Sequence, residues 1–187
     1  ISGGTFNMNN KSKSNGGAQN LTINVSGNFS MSGGTLTKTA TDARGYGVIV
    51  FAGTSNQVLT KSSGTISNAI NFTVNSGAIL EFATESTVLD GSTGTFTATN
   101  GSTLIIKHAD GIAATGSTGC IRTTGTRTFN TGVNYSYAGS ASGQITGAGL
   151  PTTVNNLTFN NTSGTTLSAS ETISGTCTVN GKLNCLS

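Results

Sequence analysis

The stretch FTVNSGAILEFATESTVLDGSTGTFTATNGSTLIIKHADGI, residues 72–112, has the most regular pattern in the chain. Large apolar residues recur there at every eighth position, at Phe72, Leu80, Val88, Phe96, Leu104 and Ile112. Two positions after each of them the residue is apolar in five cases of six, and four positions after it the residue is polar or glycine. Each unit of eight therefore predicts a short alternating strand followed by a turn.

The residues between these strands suit tight turns, because Asn, Asp and Ser followed by Gly favour the backbone angles of a turn. The four pairs are Ser76-Gly77, Asp90-Gly91, Asn100-Gly101 and Asp110-Gly111. Pairs of this kind also mark β-hairpins, so an antiparallel meander is an alternative.

Three successive units make a 24-residue period, and this period decides between the two architectures. One period apart, Phe72 falls next to Phe96, Leu80 next to Leu104, and Val88 next to Ile112. A parallel coil requires that like residues match at every third strand, whereas a meander does not. The pattern therefore favours an all-β fold, a right-handed parallel β-helix (β-solenoid) with three short strands per coil of about 24 residues.

The remaining chain extends this pattern, and we expect residues 1–187 to form a single β-solenoid domain of roughly eight coils. Residues 2–6 (SGGTF) and 32–36 (SGGTL) repeat one unit 30 residues apart. A polar loop at 11–17 accounts for the residues in excess of the 24-residue period. Residues 46–51 (YGVIVF) are apolar throughout, which predicts a strand covered on both faces. Towards the C-terminus the apolar spacing tightens, so the coil should narrow there.

Composition excludes several classes of function. Only 8% of the residues are charged, the net charge is +3 and there is no Trp, so no basic or aromatic surface for nucleic acid is expected. No apolar run reaches about 18 residues, so membrane insertion is not expected.

The residues able to carry chemistry are few and dispersed. The acids are Asp42, Glu81, Glu85, Asp90, Asp110 and Glu171. On the 24-residue period no two of them share a face position on successive coils, and Asp90 and Asp110 precede glycines and should shape turns. Glu81 and Lys107 should pair diagonally on the outer surface, where such a pair contributes little. His108, the single histidine, falls at a corner and should be solvated. We therefore expect no catalytic, cofactor-binding or metal-binding residues.

Threonines and cysteines give two further expectations. Thr95, Thr97 and Thr99 form a Thr-x-Thr-x-Thr row of the kind that binds ice on solenoid surfaces, but one 24-residue period further on the row falls on residues 119–123, which breaks the array. By alternation along their strands, Cys120, Cys177 and Cys185 fall at inward positions, so we expect three small core residues with free thiols. A bond between Cys177 and Cys185 is an alternative in an oxidising compartment.

Residues 143–161 (GQITGAGLPTTVNNLTFNN), followed by SGTTLSASETISGTCTVNGKL, resemble secreted β-solenoid proteins of gliding bacteria, which are adhesin-like substrates of the type IX secretion system. The segments TGTRTFNTGVNYSYAGSASGQ and NFSMSGGTLT are similar as well. The resemblance implies an extracellular or cell-surface location and an adhesive or stalk-like role, usually within a much longer chain. It offers no catalytic residues to transfer.

These observations together predict a structural or adhesive segment of a secreted or cell-surface β-solenoid protein, without catalysis. A polysaccharide-acting β-helix enzyme (a lyase or a glycosidase) is the first alternative, and an ice-binding or other surface-binding solenoid is the second. The expected partners are surface glycans or other surface proteins. The strand-like ends also predict end-to-end stacking with another chain, or continuation of the same polypeptide.

Overall fold

The computed structural model describes residues 1–8, 20–39 and 45–185, and these form strands and turns without a helix. The strands in the first half are β1 (Thr5–Asn7), β2 (Leu21–Val25), β3 (Phe29–Thr37), β4 (Gly47–Phe51), β5 (Asn56–Ile66), β6 (Ile70–Val74), β7 (Ile79–Phe82), β8 (Phe96–Ala98) and β9 (Thr103–Ile106). Those in the second half are β10 (Arg127–Phe129), β11 (Asn134–Tyr137), β12 (Gln144–Ile145), β13 (Thr153–Val154), β14 (Leu157–Phe159), β15 (Thr165–Thr166), β16 (Thr172–Ile173), β17 (Cys177–Val179) and β18 (Leu183–Asn184). The predicted all-β class is confirmed for this part of the chain, whereas the predicted loop at 11–17 and Asp42 lie outside it.

Parallel pairing organises these strands into stacked sheets. The long sheet has eight strands in the order β1-β3-β5-β7-β9-β11-β14-β17, and the five-stranded sheet has the order β10-β8-β6-β4-β2. Of the two small sheets in the second half, β12-β15-β18 forms the third side, whereas β13 and β16 precede β14 and β17 as β10 precedes β11 and so occupy the side of the five-stranded sheet. Every named pairing is parallel. Such stacked parallel sheets are consistent with a β-solenoid, and they exclude the meander.

The registers confirm the 24-residue period in the middle of the chain. Phe72 pairs with Phe96, and Leu80 pairs with Leu104. The repeated SGGT units also pair, with Thr5 opposite Thr35. The predicted turn glycines Gly77, Gly91, Gly101 and Gly111 all have positive φ, between 56° and 82°, a conformation that residues with a Cβ adopt at a cost.

Beyond residue 106 the 24-residue period is wrong. Val88 does not pair with Ile112; instead Leu89 forms a parallel bridge with Ile121, while the Ile112 amide donates to the Thr146 carbonyl. In the long sheet Thr103 pairs with Asn134, so the coil between them is longer than one period. The extra residues form a loop whose carbonyls at Ala113, Ala114 and Ile121 accept hydrogen bonds from the Arg127 guanidinium. A guanidinium fork can satisfy several such carbonyls at once, which explains how an irregular insertion is held against the coil.

The predicted third strand of each coil is present over part of the stack. In the first coils it is formed by β1 and by the C-terminal parts of β3 and β5, where Thr5 pairs with Thr35 and Thr35 pairs with Thr65 beyond a register shift. In the middle of the chain the third side is reduced to the bridge between Leu89 and Ile121, and regular strands return with β12-β15-β18 towards the C-terminus. At that end Leu157 pairs with Cys177 and Thr165 pairs with Leu183, offsets that are shorter than the 24-residue period, which confirms the predicted narrowing.

The core is a set of apolar columns that run along the stack between the sheets. Its largest fully buried side chains are Tyr135, Tyr137, Phe51, Phe72, Phe82, Phe96, Phe159, Met31, Leu36, Ile49, Leu59 and Ile66. Alternation along β4 buries Gly47, Ile49 and Phe51 and leaves Val48 and Val50 half-buried on the outer surface. The prediction that this strand is covered on both faces is therefore wrong, and its valines belong to an outer face.

Candidate functional site

A cleft of about 610 Å³ lies at one corner of the long sheet, between the end of β7 and the segment after β11. It is lined by Ala83, Thr84, Glu85, Ser86, Lys107, Ala138 and Ser140. Sequence reasoning missed this cleft because Glu85 and Ser140, on its two walls, are 55 positions apart in the chain and share no motif.

Glu81 and Lys107 form an ion pair beside the cleft, as predicted. Asn56 also donates to the Glu81 carboxylate at 2.5 Å, and Lys107 donates to the Ala83 carbonyl at 3.0 Å. Burial alone would raise the pKa of Glu81, but the hydrogen bonds from Lys107 and Asn56 and the charge of Lys107 lower it overall. The pair is half-buried, so the expectation of an exposed pair on the outer surface is wrong.

Glu85 holds the opposite wall of the cleft in place. One oxygen of its carboxylate accepts hydrogen bonds from the Ser140 amide at 2.6 Å, the Ser140 hydroxyl at 2.8 Å and the Ala141 amide at 2.6 Å. The Ser140 bonds, followed by the Ala141 bond, lower the pKa of Glu85. Because all three of these bonds are made by one carboxylate oxygen, the other oxygen can accept hydrogen bonds from solvent or a ligand.

His108 is not simply solvated, so that expectation is corrected. Its Nδ1 lies 3.0 Å from the Asp110 amide and its Nε2 lies 3.2 Å from the Arg122 guanidinium. Both neighbours are donors, so a doubly protonated ring would direct N–H groups at N–H groups. Burial is the largest cause that lowers the pKa of His108, and the charge of Arg122 adds to it, against the raising effects of Asp110 and Glu85.

The two aspartates at predicted turns serve those turns. Asp90 pairs with Lys61 at 2.9 Å, and Asp110 lies at an exposed turn before Gly111. Each precedes a glycine of positive φ, as expected for turn-shaping residues. Within the described ranges, no group of three or more His, Cys, Asp and Glu side chains could hold a metal ion.

The cysteines only partly follow the prediction. All three are free, and Cys120 is fully buried, which raises the pKa of its thiol to about 12. Cys177 and Cys185 are exposed, so their assignment to the core is wrong. Cys177 pairs with the buried Leu157, so the prediction that its side chain occupies an inward position was correct. The side chain is exposed because no described strand covers β17.

The outer surface of the five-stranded sheet is the second notable feature, and we call it the threonine face. Three outward columns cross all five strands. By strand, the positions are Thr22, Asn24 and Ser26; Val48, Val50 and Ala52; Asn71, Thr73 and Asn75; Thr95, Thr97 and Thr99; and Thr126, Thr128 and Asn130. The sequence prediction that the array stops above Thr97 is wrong, because Thr97 pairs with Thr128 rather than with the residue one 24-residue period further on.

No family model, curated protein or solved structure matches this chain. In the portion of the chain with described coordinates, no helix has the length and hydropathy needed to cross a membrane.

Proposed function

We propose that this chain is a structural or adhesive segment of a secreted or cell-surface protein, built as a right-handed β-solenoid of roughly eight coils with a 24-residue period in its regular part. The eight parallel strands of the long sheet, in sequence order, support one coil for each strand. Right-handedness follows the strong preference of connections between parallel strands. The resemblance to secreted solenoids of gliding bacteria supports export by type IX secretion and an extracellular location.

The observation that carries this proposal is the exposure of inward apolar side chains on the terminal strands. Phe6 on β1 is 43% exposed, whereas its partner Leu36 is 1% exposed. At the opposite end Val179 on β17 is 50% exposed, whereas its partner Phe159 is 1% exposed. Among the described strands none pairs with the outer edge of β1 or of β17, and exposed apolar side chains at such edges favour the addition of further strands.

The end that carries β1 and β2 also has an open apolar cavity of about 180 Å³. It is lined by Ile1, Phe6, Ile23, Val25, Phe29, Leu36 and Ile49. A strand with apolar inward side chains would fill this space and continue the columns. Further coils of the same polypeptide, or a second copy stacked end to end, have such side chains. Either arrangement lengthens the rod, which suits a stalk or filament.

Sedimentation velocity over a concentration series tests the stacking. The isolated chain should associate reversibly, and Val179→Lys or Phe6→Lys should shift it towards the monomer. Thr158→Lys, at an outward position of β14 that is not on a terminal strand, is the matched control and should associate like the unmodified chain. A chain that stays monomeric at all concentrations, with β1 and β17 amides strongly protected from hydrogen exchange, would refute end-to-end addition.

The cleft beside Glu85 is the one observation that favours the alternative of a polysaccharide-acting enzyme. Glu85, Lys107 and Ser140 offer an acceptor, a cation and a hydroxyl across an open groove, and hydrogen-bonding groups of both kinds suit surface glycans. A glycan array followed by a reducing-end assay on the bound glycans separates binding from turnover. The adhesive proposal predicts no turnover; turnover that Glu85→Gln abolishes and Asp110→Asn preserves would establish the enzyme instead.

A further inference from the structure

We propose that the threonine face binds ice. This inference goes beyond the structural role proposed above, since an ice-binding face needs no particular cellular location. It rests on three properties of the face: its spacing, its free hydroxyls and its lack of charge.

Spacing is the first property. Parallel strands lie about 4.8 Å apart, and alternate residues along a strand lie roughly 6.6 Å apart. The central column runs through Asn24, Val50, Thr73, Thr97 and Thr128 in continuous register. The columns on either side keep the same register, because the backbone hydrogen bonds continue past the strand ends at Thr95 and Thr99. The result is a two-dimensional grid of small side chains, and prism faces of ice expose oxygen atoms with comparable repeats in two perpendicular directions.

The hydroxyl groups of the central column are the second property. Among the described residues, the side chains of Thr73, Thr97 and Thr128 form no hydrogen bond with the protein. Each hydroxyl can therefore donate to and accept from water. Because Thr is stiff at χ1, neighbouring hydroxyls and methyls in the column share orientations at little entropic cost. Such a column can hold water molecules at lattice spacing.

On the outer surface of the long sheet, by contrast, polar side chains of neighbouring strands hydrogen-bond to one another. Along it Asn180 donates to Asn160 at 2.8 Å, and Asn160 donates to Ser136 at 3.0 Å. Asn155 likewise donates to Asn134 at 2.9 Å. On the threonine face such bonds are confined to the side columns, where Thr99 donates to the Val74 carbonyl and Asn71 accepts from the Thr95 amide, and the threonine hydroxyls of the central column remain available to a ligand.

The absence of charge is the third property. None of the fifteen outward positions of the threonine face is charged or aromatic. Arg127, which lies on β10 of the same sheet, directs its guanidinium to the carbonyls of Ala113, Ala114 and Ile121 instead of to this face. Charged groups order water around themselves and so disrupt a lattice, and aromatic rings are the usual platforms for stacking on a sugar. A face of Thr, Asn, Val, Ser and Ala therefore suits ice better than an ionic or polysaccharide surface.

Ice-affinity partitioning and thermal hysteresis test this inference on the purified chain. The unmodified protein should concentrate in slowly grown ice and depress the freezing point below the melting point. Thr97→Tyr, which places a ring at the centre of the grid, should abolish both effects. Thr158→Tyr is the matched control, because Thr158 is an outward residue in the middle of β14 on the long sheet and should leave both effects unchanged.

Thr128→Tyr provides a second variant at an exposed outward position of β10, the last hydrogen-bonded strand of this sheet, and it should also abolish both effects. Circular dichroism confirms that each variant is folded. Three results would each overturn the proposal: exclusion of the unmodified chain from ice, equal ice binding by folded Thr97→Tyr and Thr158→Tyr, or retention on crystalline cellulose or chitin without ice binding.

Discussion

Truncation of Phe96 to alanine measures how much the stacked apolar columns stabilise the fold. The ring is fully buried, pairs with Phe72 on one side, and lies 5.7 Å from the Phe129 ring on the other. Burying a Phe side chain contributes about 1.5–3 kcal/mol. Strands on both sides of β8 prevent the site from collapsing, so a cavity cost adds to that loss, and the total for Phe→Ala is about 3–5 kcal/mol.

Urea unfolding followed by far-ultraviolet circular dichroism gives the free energy of unfolding for this variant. Thr97→Ala, at the adjacent outward position of the same strand, is the matched control and should change stability by no more than about 1 kcal/mol. If both variants lost similar small amounts, the column at Phe96 would not be a continuous core. Phe96→Asp should not fold at all, because its carboxylate would be buried without a partner.

Two further predictions concern the turns and the thiols. Gly77 and Gly91 share a positive φ, but a Cβ at Gly77 would meet nothing within 4 Å, whereas one at Gly91 would lie 2.1 Å from the Ile66 carbonyl oxygen. Gly77→Ala should therefore cost about 1–2 kcal/mol in urea unfolding, the cost of the left-handed conformation, and Gly91→Ala should cost clearly more; equal losses would contradict the tight packing of that turn. In the folded protein a maleimide should modify Cys177 and Cys185 rapidly and leave Cys120 unmodified, as measured by mass spectrometry. The reason is that burial raises the pKa of the Cys120 thiol to about 12. Rapid modification of Cys120 would show that the interior is open there.

The regular part of the fold was predictable because alternation and period act together. The pairs Phe72–Phe96 and Leu80–Leu104 follow from an uninterrupted 24-residue spacing, in which each coil repeats the turns of the one before. The 24-residue spacing failed at the longer coil that brings Thr128 beside Thr97, because a fixed period does not predict where residues are inserted. Arg127, whose guanidinium holds the inserted loop, gives no periodic signal in the sequence.

The cleft and the threonine face differ in how far the sequence could reveal them. The contact of Glu85 with Ser140 joins residues 55 positions apart, and it depends on a loop whose path no local pattern specifies. The Thr-x-Thr row at Thr97 was visible in the sequence, but its neighbours depended on the register beyond the insertion. For Cys177 the inward direction was predictable from alternation, but its exposure depends on whether another strand covers β17.

The most direct test of the account is the register of the five-stranded sheet in solution, measured as nuclear Overhauser effects between backbone protons. The parallel stack predicts contacts that link Thr73 to Thr97 and Thr97 to Thr128, with the pattern of parallel strands throughout. Strong α-proton to α-proton contacts between these strands would mean antiparallel pairing. Contacts of Thr97 with residue 121 in place of Thr128 would restore the unbroken 24-residue coil, and either result would contradict the stack and remove the threonine face.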